Sequence, residues 1–207
     1  MVMELGTFLK YLQEEELGKN SKGHSPLIAK WNASESQAIS SLIRSNFKNL
    51  KGTAPKGFKS VKSNQALGNL MHKHFVKEFN NNAPANIRIN ACAGAGYPDN
   101  FLSITKGNKT INYCLEFKAT SDWNPKDSNR RVLFSSTKKI RDKISKKLIP
   151  ANPLHILLTI RYSKGSGKIE GLRLDFLDPT TQINTRLEAS TTHKLLHGAA
   201  HKSSTVS

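Results

Sequence analysis

The segment YPDNFLSITKGNKTINYCLEFK, Tyr97 to Lys118, has the pattern of two β-strands joined by a tight turn. Phe101, Leu102, Ile104 and Thr105 suit the first strand, and Lys106-Gly107-Asn108-Lys109 suits the turn. The second strand alternates: Ile111, Tyr113, Leu115 and Phe117 share one face, and Asn112, Cys114, Glu116 and Lys118 share the other. The first set is expected in a core, with Glu116 and Lys118 pointing together on the opposite side. Asp99 follows Pro98 at the mouth of the first strand. Strand pairing about this turn brings its carboxylate towards Glu116.

Two carboxylates and a lysine at one sheet edge suit phosphodiester hydrolysis. Carboxylate oxygens are hard ligands of the kind Mg²⁺ prefers, and Mg²⁺ keeps waters and accepts phosphate oxygens in its remaining positions. The bound ion lowers the pKa of a water and stabilises charge on phosphorus. A neighbouring ammonium orients that water, assists its deprotonation or offsets phosphate charge.

Pro98-Asp99 followed by Glu116-Phe117-Lys118 resembles the signature of the PD-(D/E)xK nuclease superfamily, best known from type II restriction endonucleases. The two halves lie 17 positions apart, which suits one hairpin. A glycine-rich entry, Ala93-Gly94-Ala95-Gly96, precedes them. The resemblance implies that Asp99 and Glu116 hold Mg²⁺ (or Mn²⁺), that the Phe117 backbone carbonyl completes the shell, and that Lys118 serves the attacking water. Many members add an acidic residue from the helix before the metal strands, and Glu78 is the best placed here.

Composition points to the same class of partner. The 207 residues carry 32 Lys+Arg against 15 Asp+Glu, a formal net charge of +17, well beyond what solubility needs. A polyanion is implied, nucleic acid before an anionic membrane surface, since no segment is apolar enough to span a bilayer. The start of the chain reads as neither a signal nor a transit peptide. Cys92 and Cys114 fall in predicted strands and read as buried thiols in a reducing cytosol, and the resemblance implies a bacterial or archaeal cell. A hydrophobic fraction of 37% suffices for one core.

Outward from the hairpin, periodicity predicts a helix over Met3–Leu17 on Leu5, Phe8, Leu9 and Leu12, ending in the acidic run Glu14-Glu15-Glu16. Ser34 with Gln37 makes a capping box for a second helix to Leu50, with Ile39, Leu42, Ile43 and Phe47 buried. KGTAPKGFKSVK, residues 51–62, reads as a basic linker. A third helix, Gln65–Asn80, buries Leu67, Leu70, Met71, Phe75 and Phe79; its His72 and His74 face different ways. Ile87–Cys92 is a short strand. Glycine-rich GKNSKGHSP and GSGK lack the spacing of a phosphate-binding loop.

After Lys118 comes a polar loop, 119–129, whose Asp122 and Asp127 read as turn residues. Ser135 or Ser136 caps a helix to Leu148 that carries Lys138, Lys139, Arg141, Lys143, Lys146 and Lys147, the most basic stretch of the chain. With Arg130 and Arg131 before it, this stretch is expected to hold or read DNA, arginine being suited to guanine in the major groove. Leu154–Tyr162 is nearly continuously apolar and predicts a central strand covered on both faces. Ile169–Phe176 alternates as its partner. His193, His197 and His201 are spaced to align on a helix face, without a carboxylate or cysteine to complete a zinc site.

The expected architecture is therefore α/β (α+β): a restriction-endonuclease-like αβββαβ core with a mixed central sheet flanked by helices. The core spans 63–190, after a helical segment and linker at 1–62 and before a tail at 191–207. The expected activity is site-specific hydrolysis of double-stranded DNA by a homodimer, with a companion methyltransferase protecting host DNA. A structure-selective repair or recombination nuclease of the same fold, and a non-catalytic basic nucleic-acid-binding protein, are the alternatives.

Overall fold

The computed structural model describes residues 2–17, 25–94, 96–123, 142–184, 186–189, 194–197 and 204–206. In chain order it has β1 (Val2–Glu4), α1 (Leu5–Leu17), α2 (Ala33–Leu50), α3 (Asn64–Asn82), β2 (Ile87–Ala91), β3 (Asn100–Lys106), β4 (Lys109–Thr120), β5 (His155–Tyr162) and β6 (Ile169–Leu177). Four short strands follow: β7 (Gln182–Asn184), β8 (Arg186–Ala189), β9 (Lys194–His197) and β10 (Ser204–Val206).

The architecture is mixed α/β. Five strands form a central sheet in the order β6-β5-β4-β3-β2, and β10 pairs outside β6. Among these pairings only β4–β5 is parallel. A parallel pair needs a crossover connection, and residues 142–145 within it are helical.

Alternation along the strands divides the core into two layers. Tyr113, Leu115 and Phe117 of β4, with Ile156, Leu158 and Ile160 of β5, pack with the buried faces of α2 and α3. Cys114 and Leu157 point the other way, into a cluster with Leu5, Phe8, Leu9 and Leu12 of α1 and with Ile144 and Ile149. β5 is buried from His155 to Ile160, as its unbroken apolar run predicts. Trp31 ties the layers at one corner. It stacks on Tyr113 (5.6 Å between centroids), and its indole N–H donates to the His155 carbonyl (3.1 Å). Among the described residues no helix is long and apolar enough to cross a membrane.

Several local expectations are corrected. Val2–Glu4 is not helical: it pairs with β7, and α1 begins at Leu5, whose N–H donates to the Thr181 carbonyl. Asn32, not Ser34, caps α2, its Oδ1 accepting from the Ser34 N–H (2.9 Å). Ser63 caps α3, its Oγ accepting from the Ala66 N–H (3.2 Å). Cys92 lies just past the end of β2. Tyr113 to Phe117 is buried on both faces, because α1 and residues 144–149 cover the side expected to be open. Lys194–His197 is a strand paired with β8, so His197 is not on a helix; His193 and His201 lie outside the described residues.

Candidate active site

The site is assembled by the β3–β4 register. The turn closes at Lys106 opposite Lys109, with Gly107 in the left-handed region (φ 58°) that its missing Cβ permits. Counting back from there, Asn100 pairs with Leu115, so Asp99 arrives beside Glu116. The Asp99 N–H donates to Glu116 Oε2 (3.3 Å), and Lys118 Nζ donates to Glu116 Oε1 (2.7 Å). The Asp99 carbonyl accepts from the Cys92 N–H (2.9 Å), which ties the start of β3 to the end of β2. β3 ends its pairing at Leu115, and from Glu116 onward β4 continues with β5 alone.

The electrostatics are those of a crowded acidic pair. Glu116 is 3% exposed. Burial raises its carboxyl to about 7; the Lys118 ammonium opposes that rise, and the Asp99 charge adds to it. For Lys118, burial opposes the charge, but Glu116, their hydrogen bond and Asp99 together outweigh it and hold the ammonium above its ordinary value. The Phe117 ring faces the other layer, stacked on His72 (4.8 Å) and tilted against Phe75 (5.4 Å).

Two groups that sequence reasoning passed over border the pair. His72, on α3, meets Asn100 (Nε2 to Nδ2, 2.7 Å). Burial draws its imidazole below the ordinary value, against the charge of Asp99. Only helix phase could have distinguished it from Glu78, and that requires knowing which turn of α3 crosses the strand ends. Lys143 belongs to the basic run expected to contact DNA phosphates, yet it is 1% exposed. Its ammonium donates to the carbonyls of Gly96 (2.6 Å) and Pro98 (2.5 Å).

Glu78 is not brought to the pair. It lies beside His74, one helical turn away, and His74 Nε2 meets Thr53 Oγ1 (3.0 Å). The Asp122 backbone forms a local turn with the Thr120 hydroxyl, as the sequence suggested. Trp123 lies against Gly171 and beside the guanidiniums of Arg161 and Arg173, each 5.8 Å from its ring centre, so this residue is seated on β5 and β6. Arg130, Arg131, Lys138, Lys139, Arg141 and Asp127 lie outside the described residues.

Among the described residues no group of three or more His, Cys, Asp or Glu side chains is arranged to hold a metal ion. The protein donors at this edge are therefore two carboxylates and backbone carbonyls. That set fits Mg²⁺, which takes one or two carboxylates and fills its octahedron with water and phosphate oxygens. It does not fit zinc, which favours nitrogen and sulfur donors. A divalent cation held by Asp99 and Glu116 would relieve the repulsion between them. The chain matches no protein-family profile, no curated protein and no solved structure.

Proposed function

We propose that this protein is a Mg²⁺-dependent DNA endonuclease of the PD-(D/E)xK type, cutting double-stranded DNA at a short specific sequence as type II restriction enzymes do. One observation carries the reading. Asp99, Glu116 and Lys118, distributed over 20 positions, meet where β3 stops pairing with β4, through the Asp99–Glu116 and Lys118–Glu116 hydrogen bonds. The order α3-β2-β3-β4, a helical stretch, β5-β6 includes an αβββαβ run followed by one more strand, which supports this reading.

Asp99 and Glu116 would hold the ion, and the Phe117 backbone is next in line for a carbonyl ligand. When bound, Mg²⁺ supplies a lowered pKa for a coordinated water and charge stabilisation on a phosphate oxygen. Glu116 keeps the Lys118 ammonium in place through Oε1. From there Lys118 donates to the attacking water or the phosphate, offsetting charge that grows in the transition state. The basic composition of Arg130, Arg131 and the run from Lys138 to Lys147, with the net charge of +17, suits a polyanionic partner. Two-fold DNA is cut on both strands most simply by two copies of one site, so a homodimer is part of the proposal.

The test is incubation of purified protein with unmethylated phage DNA, with and without Mg²⁺, beside Lys118→Ala. Discrete metal-dependent fragments, reduced by ~10²-fold or more in rate in the variant, are the expected result. A metal-dependent smear would favour the structure-selective nuclease. Tight binding with no cleavage in Mg²⁺ or Mn²⁺ would leave a basic nucleic-acid-binding protein.

A further inference from the structure

We propose that Lys143 is a positioning residue for the carboxylate pair, acting on Asp99 and Glu116 through the peptide bond between Pro98 and Asp99. This rests on the metal-dependent reading above and adds to it a residue outside the Asp–Glu–Lys signature.

The Pro98 carbonyl and the Asp99 N–H belong to one amide group. Lys143 Nζ donates to its oxygen (2.5 Å), and its N–H donates to Glu116 Oε2 (3.3 Å). A cation at the oxygen of an amide draws charge away from nitrogen and strengthens the N–H as a donor. The line from ammonium to carboxylate thus runs through the backbone of Asp99 itself. The second bond, to the Gly96 carbonyl (2.6 Å), grips the same segment two residues earlier. Tyr97 and Pro98 are held from both sides, and with them the direction in which Asp99 leaves the turn.

Tethering two carbonyls does not require a charge. A neutral donor would make the same bonds without the cost of burying an ammonium. Among the described residues no carboxylate pairs directly with Lys143. What the charge adds is the polarised amide, whose N–H faces Glu116 Oε2. The turn at Gly94 (φ 80°) passes alongside this side chain: a Cβ there would be in ordinary van der Waals contact with Lys143 Cε, at 3.7 Å. Lys143 itself lies in the helical stretch 142–145.

Two variants separate charge from tether. Lys143→Gln keeps two N–H donors and loses the charge; Lys143→Met loses both. Mn²⁺ alone, and separately Ca²⁺ alone, is titrated calorimetrically into each variant and into the wild type. Both variants are expected to bind either ion ~10-fold or more weakly, the usual consequence of removing a partner that orients a metal ligand. In the wild type, the Asp99 amide proton should be protected from exchange. Wild-type ion affinity in a folded Gln variant overturns the proposal, and so does free exchange of the wild-type Asp99 amide, which is measurable even if neither variant folds. Wild-type protein that binds no ion, equally with Asp99→Ala, removes the nuclease reading instead.

Discussion

At the scale of single residues, buried charge dominates the chemistry. Glu116 titrates near 7 because burial penalises its charged form, and the neighbouring Asp99 adds repulsion. A cation that binds only the folded pair must therefore stabilise the fold. Adding Mn²⁺ or Ca²⁺ should raise the melting temperature in a concentration-dependent way, following RT ln(1 + [L]/Kd). The increment should vanish in Asp99→Ala, as scanning calorimetry of both proteins would show. His155 makes the opposite case, a buried base kept neutral. Its Nε2 lies 2.7 Å from the Leu27 carbonyl, which only accepts, so Nε2 carries the proton and Nδ1 accepts from the Tyr97 hydroxyl. Burial lowers it to about 4 from an ordinary 6.5. Between those two values the unfolded chain takes up the proton and the folded chain does not, so its contribution is intact above pH 6.5 and is lost as pH falls towards 4. About 3 kcal/mol should disappear across that window, and a denaturant series against pH should show a flatter acid limb in His155→Gln.

At the scale of elements, capping separates two readings of the α2 start. Asn32 Oδ1 accepts from both the Ser34 N–H (2.9 Å) and the Ser34 hydroxyl (2.7 Å), whereas Ser34 itself makes no cap to the third turn position. Asn32→Ala should cost ~1 kcal/mol of unfolding free energy and Ser34→Ala distinctly less, by chemical denaturation. Equal costs would restore the capping box suggested by Ser34 and Gln37. The β3–β4 hairpin depends on its turn in a different way. Its register runs without interruption from Lys106–Lys109 to Asn100–Leu115, so a slip of one residue would send Asp99 to the face opposite Glu116.

At the scale of the whole molecule, the sheet is a partition. One layer, built on α2 and α3, contains Phe75 and Phe79, both fully buried, while the other holds α1 against Cys114 and Leu157. The site lies where that partition ends, at an edge reached from both layers: Glu116 and Lys118 on the α1 side, His72 on the α3 side. A long-range property follows from the net charge of +17. Binding to DNA without divalent ion should be dominated by counterion release, with affinity falling by ~10³ or more between ~50 and ~200 mM salt. A titration of fluorescent duplex against salt would measure it. A slope near zero would argue against a phosphate-binding surface.

How much of this was legible in the chain differs by kind of interaction. Strand and helix periodicity is local, so α1, α2, α3 and β2 to β6 were readable to within a few residues from Leu5, Ile43, Phe75 and the alternation of 111–118. The hairpin turn is local too, and a register counted from Lys106-Gly107-Asn108-Lys109 is enough to bring Asp99 to Glu116. Packing between distant segments left no such trace. That Val2–Glu4 is a strand depends on Gln182–Asn184 lying alongside it. That His72, rather than Glu78, borders the pair depends on where α3 crosses the sheet. Lys143 shows the limit best. In sequence it is one lysine of a basic run, and it is buried because Gly96 and Pro98, 47 and 45 residues away, present two carbonyls that its ammonium satisfies. Local pattern determines which elements form; only the assembled tertiary structure decides which side chains of those elements lose water, and so which charges become chemically consequential.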